Sequence, residues 1–207
     1  MAKKEVPVDH LRHYLPEGTE QIVLQLLHQH KVHLTIAKER ETLLGDYRHR
    51  THNENHRISV NGNLNKFSFL ITLLHELAHL LTYEKYGARV QAHGEQWKRV
   101  FGELLQMIVQ LNLLPPAIEK AIKASLSNPA ASSCADEHLI RALRKYDAKE
   151  NGVHLLEELP LGAKFKIKGD RYFLKGERQR KRYLCKEIAT GKLYLFSPVY
   201  EVEIAEN

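Results

Sequence analysis

The chain has 207 residues, a net charge of +6 and 43% hydrophobic residues, a composition typical of a globular protein with one domain and a small appendage. No apolar run reaches the ~18–20 residues of a membrane span, and the first residues lack the apolar core of a signal peptide. The two cysteines, Cys134 and Cys185, lie far apart, which excludes a disulfide framework and indicates a reducing compartment. We therefore expect a cytoplasmic protein with no membrane partner, of unknown oligomeric state.

The first predicted elements in chain order are a helix and a small sheet. Apolar residues at helical spacing predict a helix over residues 19–30. Alternation of polar and apolar residues predicts a half-buried strand over 31–38. Further short strands are expected at 46–50 and 56–60, and an Asn-Gly turn pair ends the last of them.

Two longer helices follow the predicted sheet. The first is apolar on most sides, with Asn63 or Asn65 as its N-cap and Gly87 as its stop. The second begins near His93 and continues to about Leu111, with an apolar stripe at helical spacing. The order of helix, small sheet, helix and helix indicates an α+β fold.

The first long helix contains His75-Glu76-Leu77-Ala78-His79, the H-E-x-x-H pattern of zinc peptidases. Residues four apart lie on one face of a helix, so both imidazoles can reach the same metal ion. Glu76 lies beside that ion without having to bind it, which is the position of a general base. Burying two histidines and a glutamate in so apolar a segment is costly without a partner, and a metal ion removes that cost.

The third metal ligand is the next question, because a catalytic zinc usually takes three protein ligands and leaves one position for water. His93 lies at the start of the second long helix, where Gly94 permits close approach of the backbone to the site. Glu84 and Glu95 are rival ligands, since glutamate also binds zinc. Residue types and spacing alone leave these three candidates open.

Several motifs together point to one family. The H-E-x-x-H motif followed by residues 93–98 (HGEQWK) resembles the SprT-like metalloprotease family, the bacterial relatives of Spartan. Segments 44–48 and 57–61 are similar to strands of that family. The resemblance covers roughly residues 10–112.

The resemblance implies a small gluzincin-like α+β core in which His75, His79 and His93 hold one Zn²⁺ and Glu76 activates the attacking water. It also implies that an extended substrate peptide pairs with a strand edge beside the metal helix. Many members of the family carry a four-cysteine zinc ribbon after this core. This chain has no Cys-x-x-Cys pair, so that a ribbon zinc site is not available.

The second half of the chain is predicted to hold short helices and then a separate β module. Helices are expected over 117–126 and 136–146, followed by a polar linker over 148–152. These signals divide the chain into a protease domain with trailing helices, residues 1–147, and a small antiparallel β module, residues 153–207.

The β module is basic. From residue 164 to residue 186 there are ten lysines and arginines against two acids, with aromatic residues interleaved. Cations and stacking platforms are what single-stranded nucleic acids bind, although a small sheet also needs a solvated face and an aromatic core. DNA is a candidate partner, with Arg178, Arg180, Lys181 and Arg182 as the candidate contacts, and a solvated basic face over an aromatic core is the alternative.

The predicted function is that of a zinc-dependent metalloendopeptidase acting on protein or peptide substrates, DNA-associated proteins included. A hydrogen-bond donor to the transition-state oxyanion would assist the zinc, and the sequence does not choose among Tyr47, Tyr83, Tyr86 and Arg89. Two alternatives stay open: a nucleic-acid-associated binding protein with a structural or weakly active zinc site, and a zinc hydrolase of a non-peptide bond. Glu76 argues against the first, because a structural site needs no base.

Overall fold

The computed structural model of the chain describes residues 8–40, 43–51, 55–126, 136–148, 152–167 and 169–205. The chain divides into two compact units, residues 1–147 and 148–207. The first unit is α+β and the described part of the second is built from strands and one short 3₁₀ turn. None of the helices in the described ranges combines the length and apolar character that crossing a bilayer requires.

Six helices and three strands make up the described part of the first unit. Their bounds are α1 Val8–Leu11, α2 Glu20–Gln29, β1 Val32–Ala37, β2 Gly45–Arg48, β3 His56–Asn61, α3 Lys66–Tyr86, α4 Glu95–Gln110, α5 Pro116–Ser125 and α6 Glu137–Arg144. The predicted elements are confirmed with end shifts of a few residues, which is the usual uncertainty of helix and strand ends. The four-residue α1 was not predicted, because one helical turn is too short to show a periodic pattern.

The sheet of the first unit has the order β1-β3-β2. β1 runs parallel to β3, and β2 runs antiparallel to β3 with Tyr47 opposite Ile58. Ile58 and Val60 point into the core, as the alternation of a half-buried strand requires. β2 therefore lies at one edge of the sheet among the described strands.

Helix α3 is the central element of this unit. It is buried on nearly all sides, with twelve buried residues, as expected for a helix that is apolar all round. Of the two predicted N-cap residues the structure uses Asn65, whose side chain accepts hydrogen bonds from the N–H groups of Phe67 and Ser68. The helix ends at Gly87, whose φ of 79° suits glycine. Each fully buried leucine of α3 contributes about 1.5–3 kcal/mol, so packing fixes this helix firmly.

The second unit is a small antiparallel sheet with the order β4-β10-β5-β6-β8-β7, and β9 pairs with β8. Its strands are β4 Val153–Leu155, β5 Lys164–Ile167, β6 Arg171–Leu174, β7 Arg178–Gln179, β8 Arg182–Glu187, β9 Leu193–Phe196 and β10 Glu201–Ile204. The short β4 and β7 were not predicted as strands. Seven buried residues form its core: Leu156, Leu159, Phe165, Phe173, Cys185, Phe196 and Val202. Cys185 is a free thiol, and Cys134 lies outside the described residues.

Candidate metal centre

Helix α3 presents two imidazoles on one face, one turn apart. The Nε2 atoms of His75 and His79 lie 3.2 Å from each other. His75 is 9% exposed, and His79 is half-buried. Because α3 is buried on nearly all sides, packing holds both rings in these positions.

His93 brings a third imidazole to the same point from the connection between α3 and α4. Its Nε2 lies 3.0 Å from that of His79 and 3.2 Å from that of His75. Its φ is 59°, a left-handed conformation in which histidine is enriched but which still costs about 1–2 kcal/mol. Gly94 follows as the N-cap of α4. A strained backbone that turns a side chain toward two others is typical of a functional site.

The three nitrogens fit a cation better than they fit one another. In a neutral imidazole, each Nε2 is either a donor or an acceptor. Three atoms in mutual contact must then include at least one pair of the same kind, so hydrogen bonds cannot satisfy all three contacts. A tetrahedral zinc with Zn–N distances of about 2.0–2.1 Å keeps its nitrogens about 3.3 Å apart, close to the separations in this cluster. His75, His79 and His93 can therefore hold one zinc ion.

Aromatic rings of α4 form one wall of this centre. Trp97 lies against all three imidazoles, with ring centroids 4.7, 5.3 and 4.7 Å from those of His75, His79 and His93. Phe101 stacks on Trp97 at 4.8 Å. This wall excludes water from one side and fixes the orientation of the rings. Trp97 is the single tryptophan of the chain, so its fluorescence reports on the metal centre alone.

The electrostatics of the cluster favour the form of histidine that binds metals. Burial, followed by the neighbouring His79 and His93, lowers the pKa of His75 from 6.5 to about 3. Burial, followed by His93, lowers the pKa of His79 to about 4, and burial also lowers the pKa of His93. All three rings are therefore neutral at pH 7, with a lone pair available for a metal.

Glu76 lies on α3 between the two histidines of the motif and faces strand β2. It is 6% exposed, and burial, then the charge of Asp46, raises its pKa from 4.5 to about 8, while Arg40 opposes this rise. A bound dication would favour its charged form. The strand approaches so closely that a Cβ atom on Gly45 would lie 2.5 Å from Oε1 of Glu76 and 2.8 Å from Cγ2 of Thr72.

The two rival ligands lie elsewhere. The Glu84 carboxylate is 2.6 Å from Nδ1 of His30 and 3.6 Å from Nε2 of the buried His56. Glu95 is exposed in the first turn of α4. Sequence reasoning did not find the cluster of His30, His56 and Glu84, because its members are separated by up to 54 residues and share no motif.

The four candidate oxyanion donors differ in their surroundings. Tyr47 on β2 is half-buried, and its ring is parallel to that of His79, with an interplanar angle of 2° and centroids 6.5 Å apart. Tyr83 packs with its ring on His49 and against His56. The other two, Tyr86 and Arg89, are exposed beyond or at the end of α3.

The predicted nucleic-acid contacts cluster at one end of the second unit, in the hairpin of β7 and β8. Gln179 pairs with Arg182, which leaves a two-residue turn. The turn residue Arg180 has a φ of 54°, an uncommon conformation for a non-glycine residue. All four predicted side chains are exposed: Arg178, Arg180, Lys181 and Arg182.

The sequence profile of the SprT-like family matches residues 13–117, half of the chain, including all three histidines and Glu76. The chain belongs to the SprT-like family. Over 29 residues it is 48% identical to Protein SprT of Pseudomonas putida strains F1, W619 and KT2440, a stretch that covers 14% of this chain and 18% of each relative. The matched part is thus less than a fifth of the length of these curated relatives. No solved structure matches the chain significantly.

Proposed function

We propose that the protein is a zinc-dependent metalloendopeptidase with a gluzincin-like centre formed by His75, His79, His93 and Glu76. The observation that carries this proposal is the convergence of three neutral imidazole nitrogens within 3.0–3.2 Å, beside a buried glutamate that lies outside their contact. A structural site would need a fourth ligand and no base, whereas three ligands leave one position for reaction.

The residues divide the chemistry among themselves. His75, His79 and His93 would hold zinc, which when bound supplies Lewis acidity toward a carbonyl oxygen and lowers the pKa of coordinated water to about 7. Glu76 accepts a proton from the attacking water and delivers it to the leaving amine. Burial raises the pKa of Glu76 in the metal-free protein, and a bound dication would return the group toward the carboxylate form that accepts the proton.

Strand β2 offers a binding edge for an extended peptide. Its Gly45 faces Glu76, and its Tyr47 lies along His79, so the strand passes both parts of the centre. Among the described strands β2 pairs with β3 alone, which leaves its other edge for main-chain hydrogen bonds to a substrate strand.

The proposed substrates include proteins associated with DNA. The exposed cations of the β7–β8 hairpin support this part of the proposal, because phosphate binding needs accessible positive charge. We propose that the hairpin recruits the protease unit to acidic or DNA-bound targets.

The test of the peptidase function uses the zinc-loaded protein and an unstructured peptide library. The wild type is expected to cleave the peptides, to stop when a chelator removes zinc, and to recover when zinc is restored. A Glu76→Gln protein is expected to bind the same amount of zinc and to lose cleavage, since an amide cannot accept the proton. Retention of a rate within tenfold of the wild type, a change in the activation barrier below about 1.4 kcal/mol, would remove Glu76 from the mechanism.

A further inference from the structure

A chain of polar contacts leads away from the metal centre through β2, β3 and α3 to the residue that follows α2. The hydroxyl of Tyr47 on β2 lies 2.9 Å from Nδ1 of His56 on β3. Nε2 of His56 lies 3.6 Å from the carboxylate of Glu84 near the end of α3. That carboxylate in turn lies 2.6 Å from Nδ1 of His30, the residue that follows α2.

The hydrogen bonds determine where the proton of His56 lies. The backbone N–H of Arg50 donates to Nδ1 of His56 at 3.3 Å, so that Nδ1 is an acceptor. A neutral ring of this kind carries its proton on Nε2, which faces Glu84. Burial lowers the pKa of His56, against an opposing effect of Glu84, and so keeps the ring neutral. The hydroxyl of Tyr47 must therefore be the donor in its bond with His56.

This hydroxyl can leave His56 at small cost. If it rotates away, Nδ1 of His56 still accepts the N–H of Arg50, so no buried acceptor loses its last partner. A tyrosine hydroxyl keeps its proton at neutral pH, because its ordinary pKa is about 10. The group is thus a protonated donor that rests on His56 and can be redirected.

Tyr47 also has the right place. Its ring runs parallel to that of the proposed ligand His79, and its strand carries the glycine that faces Glu76. A peptide carbonyl that reacts between His79 and Glu76 would lie beside Tyr47. The ring of Tyr83 is engaged instead with His49 and His56.

We propose that Tyr47 donates the hydrogen bond that stabilises the oxyanion of the transition state, and that His56 is a positioning residue that holds this hydroxyl beside the centre in the resting protein. The proposal rests on the peptidase function proposed above. It selects one of the four donors that the sequence left open. When the oxyanion forms, the Tyr47 hydroxyl redirects its hydrogen bond from the neutral Nδ1 of His56 to the anionic oxygen. A hydrogen bond to a charged acceptor is the stronger of the two.

The test compares Tyr47→Phe with Tyr83→Phe, two substitutions that each remove only a hydroxyl. Tyr47→Phe is expected to lower kcat by about 10²–10³, the loss typical of one oxyanion donor, with KM and zinc affinity within about threefold of the wild type. A phosphinic peptide, whose phosphorus oxyanion imitates the transition state, should bind more weakly by a similar factor, measured by Trp97 fluorescence. Tyr83→Phe should change neither value by more than about threefold.

A double-mutant cycle tests the role of His56. His56→Asn should lower kcat in the wild type and have no further effect in the Tyr47→Phe protein, because it acts through that hydroxyl. Additive losses, an unchanged kcat in Tyr47→Phe, or a loss that follows Tyr83→Phe instead would each overturn the proposal. If zinc-loaded wild type cleaves no peptide, or Glu76→Gln cleaves as fast as wild type, the peptidase function itself is wrong. If Glu76→Gln is inactive and Tyr47→Phe is fully active, only the role of Tyr47 is wrong.

Discussion

The histidine cluster of the first unit and the core of the second unit surround their buried polar side chains in opposite ways. In the second unit the buried Lys175 donates to the carbonyl of Leu159 at 2.5 Å, and the buried Glu187 pairs with Arg171 at 2.7 Å. Each group has a partner of the complementary kind, so the arrangement stabilises the fold and needs nothing from outside. These contacts are structural.

In the first unit, three buried or half-buried imidazoles meet one another instead of a complementary group. No assignment of protons satisfies all three contacts, and a cation resolves the conflict. Polar burial alone therefore does not identify a site. What identifies it is burial that the protein's own groups cannot satisfy, and the experiments below are designed to separate the two cases.

The largest effect is expected for the third ligand. His93→Ala should weaken zinc binding by at least about 100-fold, beyond the 10–100-fold typical of residues that only support a ligand. Titration of zinc against Trp97 fluorescence measures it. Glu95→Ala, which removes a rival ligand, serves as the control and should leave the zinc affinity unchanged. Undiminished zinc in the His93→Ala protein would refute the assignment.

Gly45→Ala is expected to have a smaller effect that combines stability and activity. The new Cβ would overlap Oε1 of Glu76 and Cγ2 of Thr72, and overpacking of this kind costs about 1–3 kcal/mol. Urea unfolding should show this loss, and kcat should fall because the base is displaced. Gly87→Ala is the matched control: its φ of 79° strains an alanine, but no atom lies within 4 Å, so stability should fall and kcat should not. Equal effects of both variants on kcat would contradict the close approach at Gly45.

In the metal-free protein, stability should depend on pH in two directions. The folded pKa values of His75 and His79, about 3 and about 4, lie below the ordinary 6.5, so the unfolded chain binds their protons first as the pH falls. Glu76 has a folded pKa of about 8, so its burial costs stability as the pH rises from 4.5 to 8. For each proton by which the unfolded and folded states differ, the free energy of unfolding changes by about 1.4 kcal/mol per pH unit. The histidines and Glu76 act in opposite directions, so the free energy of unfolding should be greatest near pH 6.5.

Urea unfolding of the apoprotein across pH 5–8 measures this profile. The Glu76→Gln apoprotein should lose the decline above about pH 6.5 and keep the decline below it, because its histidines are unchanged. A wild-type profile that rises steadily through pH 8 would contradict the buried state of Glu76.

The smallest effect is expected in the second unit. Replacing all four cations of the hairpin with glutamine should weaken binding of single-stranded DNA. The slope of log K against the logarithm of the salt concentration should become less steep by up to about 0.7 for each lost phosphate contact. Changing only the three arginines to lysine keeps the charge and should keep the slope. If the wild type binds no DNA even at low salt, the hairpin is a surface for proteins or a feature of the fold.

Much of the local structure could be predicted from the sequence. The stop at Gly87 and the placement of the H-E-x-x-H motif on a buried helix follow from patterns within a few residues. The choice of Asn65 over Asn63 as N-cap could not be predicted, because both residues fit the same pattern. Only the hydrogen bonds that Asn65 accepts in the structure separate them. The sequence also left His93 and two glutamates open on residue type alone.

The contacts between distant residues could not be predicted. Tyr47, His56 and Glu84 lie on three elements, and nothing in their local sequence indicates that they meet. The approach of Gly45 to Glu76 depends on how β2 crosses α3, which is decided by packing and not by either segment. These contacts distinguish Tyr47 from the other candidate donors.

The most direct test of the account is a titration of the metal-free wild type with zinc, in which peptide cleavage and Trp97 fluorescence are followed in the same sample. The cleavage rate and the Trp97 fluorescence are predicted to change in parallel and to stop changing at one zinc per chain, while Glu76→Gln shows the fluorescence change without cleavage. Full occupancy at one zinc per chain with no hydrolysis of any peptide in the library would contradict the account, as would cleavage that continues after zinc is removed.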